Sequence, residues 1–380
     1  MEKKAKNSMI KGGRELRLGY TTGSCATAAA TAAVTMLFTQ YPLCHISVIL
    51  PQGEKVTFEI KDSIVGPLKA SCAVIKDAGD DPDVTDGIAI VATCQLCEEG
   101  ITLHAGKGVG TVRAEGLAVP QGSPAINPVP HKMIIENVRR VCEQFDYTGG
   151  VQVTIGAKGG ETIAAKTFNP RLGIEGGISI LGTTGRVEPM SERAIVDTIA
   201  LLMDKQHIQD TERILLTPGN YGRTFSQNVL GMDMERAVKY GNYLGETLDY
   251  AVYKKFSHVL LVGHLGKLVK VAGGIMNTHS SMGDCRMEIL AAHAACAGAD
   301  TATVQDIMQC RTTDAALTIL SLHGLDTAVF TSLLSKIQFY VQERVRGTLA
   351  IDIIVFSGES IVMKSAGADE AVHYFMRKEL

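Results

Sequence analysis

The segment NPRLGIEGGISILGTTGRVEPM, residues 169–190, lies close to the middle of the 380-residue chain. It holds five glycines and two prolines around a short apolar run, and glycine adopts positive φ angles and close backbone contacts at little cost. We interpret the segment as a seam between two α/β halves. Its hydroxyls, amides and arginines suit an anionic ligand, and a double turn without any ligand fits the same residues equally well.

The composition is that of an ordinary globular protein. At 380 residues, 46% hydrophobic and 20% charged, the chain is long enough for two domains with separate cores. A formal charge of −3 gives no overall basic field, so we predict no nucleic-acid partner. No apolar run reaches the ~18 residues of a membrane span, and we expect a cytoplasmic protein without membrane association.

The nine cysteines are scattered, which favours reduced thiols over disulfides. Only Cys94 and Cys97 have a metal-like spacing. A structural zinc site needs four ligands, and no second pair follows, so we predict no protein-bound metal.

The first half of the sequence combines many strands with two helices, an α+β pattern. Residues 19–30 form a glycine and hydroxyl loop that enters an alanine-rich helix, and Thr22 or Ser24 is expected to cap it. The free amides of that helix would bind an anion, although capping without a ligand is an equal alternative. Residues 76–87 contain many aspartates, including Asp80 and Asp81, and fit either a solvated loop or a polar wall of a ligand site.

The second half repeats units of strand, glycine turn and helix. Strand 213–217 leads into the turn 218–222, and strand 258–262 leads into the turn 263–267. In an open parallel sheet such turns lie together at the carboxyl ends of the strands, where ligands bind. We therefore predict a Rossmann-like half, although the GxGxxG fingerprint is absent. His264, Asn277 and His279 lie in polar loops beside glycines and are candidate site residues, with simple hydrogen bonding as the alternative.

Several blocks between about Leu18 and Ala299 resemble one known family. They are GYTTGSCATAAA, KDAGDDPDVT, GVGTV, PAINPVP, KTFNPRLGIEGGISILGTTGRVEPMSE, LLTPGNYG, LLVGHLGKLVKVAGGIMNTHS and DCRMEIL. Together they are similar to the cobalt-precorrin-5B C(1)-methyltransferase family of anaerobic cobalamin biosynthesis. The central block is the most specific of them.

The resemblance implies a fold and a reaction. Residues 1–190 would form a mixed-sheet α+β domain similar to domain 2 of ribosomal protein S5, with glycine-rich ligand loops. Residues 191–380 would form a Rossmann-like α/β domain that binds S-adenosyl-L-methionine. The methyl group would pass to ring carbon 1 of cobalt-precorrin-5B, giving cobalt-precorrin-6A. Cobalt belongs to the substrate in this scheme, and a homodimer is left open.

The resemblance also implies roles for residues. Cofactor contacts are expected from Thr217, Gly219, Asn220, Gly222, Gly263 and Gly266. Substrate contacts are expected from Thr22, Ser24, Asp80, Asp81, Lys132, Arg171, Thr183, Thr184, Arg186 and Lys267, with Lys270 and Arg286 as further cations. His264, Asn277 and His279 are the catalytic candidates, for accepting a proton or bonding a ring substituent.

Two other classes of function fit parts of the sequence. The Gly23-Ser24 loop resembles the phosphate loop of the galactokinase and homoserine kinase family, which would make the protein a small-molecule kinase. A non-catalytic tetrapyrrole carrier would bind the same macrocycle without methylating it.

Overall fold

The structure, a computed structural model, describes residues 7–115 and 117–376. The chain divides into two compact units, Met1–Glu192 and Arg193–Leu380. Helices and strands are interspersed along the chain, and the strands form several sheets, which confirms the predicted mixed α/β class. Separate hydrophobic clusters fill the two units.

The first unit is rich in short strands. Its elements in chain order are β1 (Ser8–Lys11), β2 (Arg14–Arg17), β3 (Gly19–Tyr20), α1 (Thr22–Thr39), β4 (His45–Ile49), β5 (Lys55–Glu59), β6 (Lys61–Val65), β7 (Lys69–Ile75), β8 (Ala89–Cys97), β9 (Ile101–Ala105), β10 (Gly108–Val109), β11 (Thr111–Val112), α2 (Pro128–Gln144), β12 (Gly150–Ala157), α3 (Gly160–Ala164), α4 (Asn169–Leu172), β13 (Ile174–Glu175), β14 (Gly177–Ile178) and β15 (Arg186–Val187).

Helix α1 forms the centre of the first unit. It packs against α2 and against a five-stranded sheet of order β6-β7-β8-β12-β9, in which β12 runs antiparallel to β8 and parallel to β9. The helix consists largely of alanine and threonine and is buried on nearly every side. Thr27 and Thr31 donate to carbonyls four residues earlier, at 2.8 and 2.7 Å, so their hydroxyls stay satisfied inside the core.

Three backbone segments of the first unit meet at glycines. A Cβ atom on Gly177 would lie 2.2 Å from the carbonyl oxygen of Gly108, and one on Gly160 would lie 2.1 Å from the same oxygen. Such distances are far inside van der Waals contact. These glycines therefore permit close backbone packing, which is a structural use of the glycine-rich sequence.

The central segment 169–190 belongs entirely to the first unit. Its strands β13, β14 and β15 pair with β11, β10 and β3 respectively. Gly182 and Gly185 have φ angles of 134° and 84° and lie against Thr21 and Ser24. All of these pairings join the segment to earlier strands of its own unit, and the boundary between the two units follows the segment, after Glu192.

Helix α2 begins at Pro128. Proline is tolerated in the first turn of a helix because the amide there has no partner within the helix. Pro128 and Pro130 occupy that turn, and His131 is the residue whose amide donates to Asn127, at 2.9 Å. The two prolines therefore lie inside the first turn of the helix and do not precede it.

The second unit begins with helix α5 at the boundary. Its elements are α5 (Glu192–Gln209), β16 (Arg213–Thr217), α6 (Asn220–Asn228), a 3-10 turn (Met234–Arg236), β17 (Ala237–Lys239), α7 (Leu244–Tyr253), β18 (His258–His264), α8 (Leu265–Val271), α9 (Arg286–Cys296), α10 (Thr301–Gln309), α11 (Thr313–Leu322), α12 (Asp326–Val345), β19 (Ala350–Ser357), β20 (Ser360–Lys364) and α13 (Ala368–Phe375).

The sheet of the second unit has the strand order β17-β16-β18-β19-β20. Strands β17, β16, β18 and β19 are parallel, and β20 runs antiparallel at the edge. Parallel strands covered on both faces are apolar along their whole length, as Leu215, Leu216, Leu260 and Leu261 are here. The loops after β16, β17 and β18 therefore leave the sheet at one common edge.

Candidate functional site

The loop after β16 brings a buried hydroxyl and an open glycine together at the carboxyl edge of the sheet, where the parallel strands end. Thr217 is completely buried, and its Oγ1 has no hydrogen-bond partner within the described residues. Gly219 has an extended backbone, with φ −177°, and a Cβ added there would meet nothing within 4 Å. Gly222 differs, since its Cβ would lie 3.2 Å from Cβ of Thr217. Only Gly219 of this pair offers space to a ligand.

The loops after β16 and β18 enter helices on opposite faces of the sheet. Phe225 of α6 belongs to the cluster with Leu215 and Leu260, whereas Leu268 of α8 belongs to the cluster on the other face. Strand β18 lies directly beside β16. Two adjacent strands therefore lead into helices on opposite faces of the sheet, as they do at the topological switch point of an open parallel sheet.

His264 caps helix α8. Its Nδ1 accepts a hydrogen bond from the amide of Gly266 at 3.0 Å, so the neutral ring carries its proton on Nε2. A Cβ on Gly263 would lie 2.9 Å from the side chain of buried Leu268, which makes Gly263 a packing glycine. The predicted role of His264 as a proton acceptor conflicts with this cap, whereas donation from Nε2 remains available.

His279 lies in a similar arrangement. The amide of Ser281 donates to its Nδ1 at 3.2 Å, and the Ser281 hydroxyl lies 2.7 Å from the same nitrogen. Asn277 uses its Oδ1 to accept the amide of His279 at 3.1 Å. Asn277 therefore shapes the loop, and the neutral ring of His279 also presents Nε2–H.

Two lysines at the same edge donate to asparagine side chains. Lys267 Nζ donates to Oδ1 of Asn242, and the Thr278 hydroxyl lies 3.4 Å from that oxygen. Lys239, at the end of β17, donates to Oδ1 of Asn220 at 3.0 Å. The structure thus joins the predicted residue Asn220 to Lys239 and the predicted residue Lys267 to Asn242. Lys239 and Asn242 were missed by the sequence analysis.

A buried lysine completes this lysine cluster, which consists of Lys239, Lys267 and Lys270. Lys270 is 3% exposed and lies 3.4 Å from Oδ1 of Asp284, and its Nζ donates to the Thr278 carbonyl at 3.3 Å. Burial lowers the pKa of Lys267, and the charges of Lys270 and Lys239 lower it further. The charges of Lys270 and Lys239 therefore disfavour the charged form of Lys267.

The predicted substrate contacts at the start of α1 are bonded internally. The Ser24 hydroxyl donates to the Gly185 carbonyl at 2.7 Å, and the Thr22 hydroxyl accepts the amide of Leu181 at 2.9 Å. The helix cap is Thr21, not Thr22 or Ser24. The amide of Gly23 donates to Leu181 at 3.0 Å, and that of Ser24 donates to Oγ1 of Thr21 at 3.2 Å. The prediction that these amides are free for an anion is wrong.

The aspartate-rich loop likewise bonds to its own unit. Oδ2 of Asp80 accepts the amide of Arg17 at 2.7 Å, and Oδ1 of Asp81 accepts the amide of Met190 at 2.8 Å. Their carboxylates therefore tie the loop to β2 and to the end of the central segment.

The remaining predicted substrate contacts differ in exposure. Arg186 forms a nearly buried pair with Glu54 and is stacked on Tyr20, with 4.4 Å between guanidinium and ring centre. A guanidinium held in this way is not free to bind a substrate carboxylate at the rim of a site, as the prediction required. The Thr184 hydroxyl bonds the Arg186 carbonyl at 3.2 Å. The exposed members are Lys132, Arg171 and Thr183.

Neither a metal-ligand cluster nor a membrane-spanning helix is present among the residues that the structure describes. Cys94 is fully buried, where burial raises the pKa of its thiol. Across residues 7–115 and 117–376, no cluster of three or more His, Cys, Asp or Glu side chains has the geometry of a metal site. None of the helices in this part of the chain has the length and apolar character to cross a membrane.

These observations define the class of protein: a mixed α/β protein whose parallel sheet gathers polar and cationic loops at one edge. The chain belongs to the CbiD family. The CbiD profile matches residues 9–189, and the profile of the CbiD C-terminal domain matches residues 277–367.

Relatives resemble the chain over almost its full length. The cobalt-precorrin-5B C(1)-methyltransferase of Ruminiclostridium cellulolyticum is 48% identical, over 92% of this chain and 91% of its own. Proteins of the same name from a Thermoanaerobacter species and from Photorhabdus laumondii are 42% and 40% identical, covering 94% of this chain and 97% and 94% of their own. A crystal structure of the cobalamin biosynthesis protein CbiD from Archaeoglobus fulgidus has 29% identity and a TM-score of 0.39, covering 72% of this chain and 86% of that chain.

Proposed function

We propose that this protein methylates ring carbon 1 of cobalt-precorrin-5B in cobalamin biosynthesis, giving cobalt-precorrin-6A. The proposal rests on the similarity to relatives of that name, which match the chain at up to 48% identity over more than nine-tenths of its length. S-adenosyl-L-methionine is the methyl donor in this proposal, and it leaves as S-adenosylhomocysteine.

The donor site in this proposal is the carboxyl edge of the sheet in the second unit, which we interpret as Rossmann-like. One feature of the chain fits the donor: Gly219 leaves open space for an adenosyl group to approach the backbone. Thr217 is completely buried and would contribute through the backbone of the loop. Asn220, Gly222, Gly263 and Gly266 would shape the loops on either side.

The chemistry requires alignment more than a reactive side chain. The bound donor supplies a methyl group on a positively charged sulfur, which is already activated for transfer. The protein has to hold donor and acceptor in line, and well-oriented pairs gain ~7–11 kcal/mol from such positioning. His264 and His279 would act as hydrogen-bond donors through Nε2, because their Nδ1 atoms already accept backbone amides.

The acceptor macrocycle carries many carboxylates, so cations should bind it. Lys132, Arg171 and Lys267 are proposed as these cations, and Thr183 as a polar contact. Thr22, Ser24, Asp80, Asp81, Thr184 and Arg186 would contribute through the backbone that they position. Asn277 would act by fixing the loop of His279.

The kinase alternative loses its basis in the phosphate loop. The amides of Gly23 and Ser24 would have to cradle a phosphate, and both already donate within the first unit. A non-catalytic carrier would bind the macrocycle but release no S-adenosylhomocysteine.

The experiment is an anaerobic incubation with cobalt-precorrin-5B and a donor whose methyl group is deuterated. We expect mass spectrometry to find one labelled methyl group on the macrocycle and an equal amount of S-adenosylhomocysteine. Binding of the macrocycle without any transfer would identify a carrier instead. Magnesium-dependent stabilisation by ATP, with none by S-adenosylhomocysteine, would favour a kinase.

A further inference from the structure

Two ammonium groups at the carboxyl edge lack an acidic partner. Within the part of the chain that the structure describes, Lys239 and Lys267 form no ion pair with a carboxylate. Each donates instead to a neutral side-chain oxygen, that of Asn220 for Lys239 and that of Asn242 for Lys267. Lys267 is half-buried, and an ammonium group in such a place normally pairs with an anion, because desolvation of the charge is otherwise uncompensated. Lys239 is exposed.

Asp284, the carboxylate that pairs with Lys270, is already engaged. Asp284 lies 3.4 Å from Lys270 and 2.5 Å from Nε of Arg286, and a second bond of 2.9 Å joins it to the same guanidinium. Hydrogen bonding to Arg286 holds the pKa of Asp284 below its usual range, and burial opposes this only in part. Asp284 thus serves two cations, Lys270 and Arg286.

The position of the pair suits a ligand. Lys239 ends strand β17, and Lys267 lies in the first turn of α8 after β18. Strands β17 and β18 flank β16 on its two sides, so the two lysines lie on either side of the loop that begins at Thr217. Asn220 links Lys239 to that loop directly.

We propose that Lys239 and Lys267 together bind one carboxylate group of a small-molecule ligand at the carboxyl edge of the second unit. This inference rests on the proposed function, which supplies two sources of that group. One is the amino-acid carboxylate of the methyl donor, and the other is an acidic side chain of the macrocycle.

The first measurement is calorimetric titration with S-adenosylhomocysteine and with 5′-methylthioadenosine, which lacks the carboxylate. The variants are Lys239→Gln, at an exposed position, and Lys267→Met, which keeps the half-buried stem. Lys336→Gln on helix α12 is the control, because it removes the same charge from an exposed position of the same unit. A charge-assisted hydrogen bond corresponds to about 10- to 100-fold in affinity.

If the donor supplies the carboxylate, both variants weaken S-adenosylhomocysteine by about that factor and leave methylthioadenosine unchanged. If the macrocycle supplies it, S-adenosylhomocysteine binds normally and the KM for cobalt-precorrin-5B rises about 10- to 100-fold. Wild-type values for both ligands in both variants would overturn the inference. So would an equal loss in Lys336→Gln, which would indicate a non-specific effect of charge.

A second measurement separates this inference from the proposed function. Wild-type protein is acetylated with an N-hydroxysuccinimide ester, with and without citrate, and the modified lysines are identified by mass spectrometry. We expect citrate to protect Lys239 and Lys267 but not Lys336, even if no methyl transfer is found. The carboxylate site would be refuted if Lys239 and Lys267 were labelled to the same extent with and without citrate and S-adenosylhomocysteine did not bind.

Discussion

Replacing Arg186 by methionine tests whether this side chain stabilises the first unit or binds the substrate. Arg186 Nε donates to Oε2 of Glu54 at 3.1 Å, and its Nη2 bonds Oε1 of the same carboxylate. The guanidinium also covers the ring of Tyr20 and donates to Asn7 at 3.0 Å. Methionine keeps an apolar stem of similar length and removes all of these polar contacts.

The expected cost follows from burial. The Arg186 side chain is 9% exposed and that of Glu54 is 25% exposed. Breaking a fully buried pair costs ~3–5 kcal/mol, because one charge stays behind unpaired. Water reaches part of Glu54, so we expect a loss of about 2–3 kcal/mol in the free energy of unfolding. For a unit of this size that loss lowers Tm by about 4–12 °C.

The assay is urea unfolding of the wild type, Arg186→Met, Glu54→Gln and the double variant. The double variant should recover part of the loss, with a coupling free energy of about 1–2 kcal/mol. Arg113→Met is the control, because the Arg113–Glu175 pair is 60% and 72% exposed and should contribute less than ~0.5 kcal/mol. Unchanged stability of Arg186→Met with a raised KM for the macrocycle would refute this reasoning and restore Arg186 as a substrate anchor.

Two further substitutions probe one unit each. Gly219→Val should raise the Kd for S-adenosylhomocysteine at least ~10-fold with an unchanged Tm, because the added side chain meets no protein atom within 4 Å of its Cβ; equal affinity in calorimetry would contradict the donor site. Burial alone would raise the pKa of Asp83, yet the hydrogen bonds from Lys76 and Thr85 hold this pKa below its usual range. The ionised carboxylate therefore stabilises the fold above about pH 4, and this stabilisation is lost as pH falls through the lowered pKa. Asp83→Asn should remove that pH dependence and cost ~3 kcal/mol at pH 7, since Lys76 is 1% exposed; urea unfolding that matches the wild type at pH 7 and pH 3 would exclude this role.

The sequence predicted the regular elements well where the residue pattern is local. The apolar strands 213–217 and 258–262 and the alanine-rich helix after residue 21 lie where they were expected. Strand β17 was missed because its three residues, Ala237–Lys239, are too few to show a pattern. That omission also hid Lys239 and Asn242, although the Lys-Tyr-Gly-Asn turn with Gly241 at φ 65° was a usable signal.

The sequence by itself determined the family, the glycine turns and the chemical types of side chain that the chain offers. Only the tertiary structure decided which of these groups already have partners. Arg186 meets Glu54 across 132 residues and Asp80 meets Arg17 across 63, whereas Lys239 and Lys267 donate to the neutral oxygens of Asn220 and Asn242. Hydrogen bonds and ion pairs depend on atoms being within about 3–4 Å of one another, and the folding of distant segments sets that distance, not their spacing along the chain.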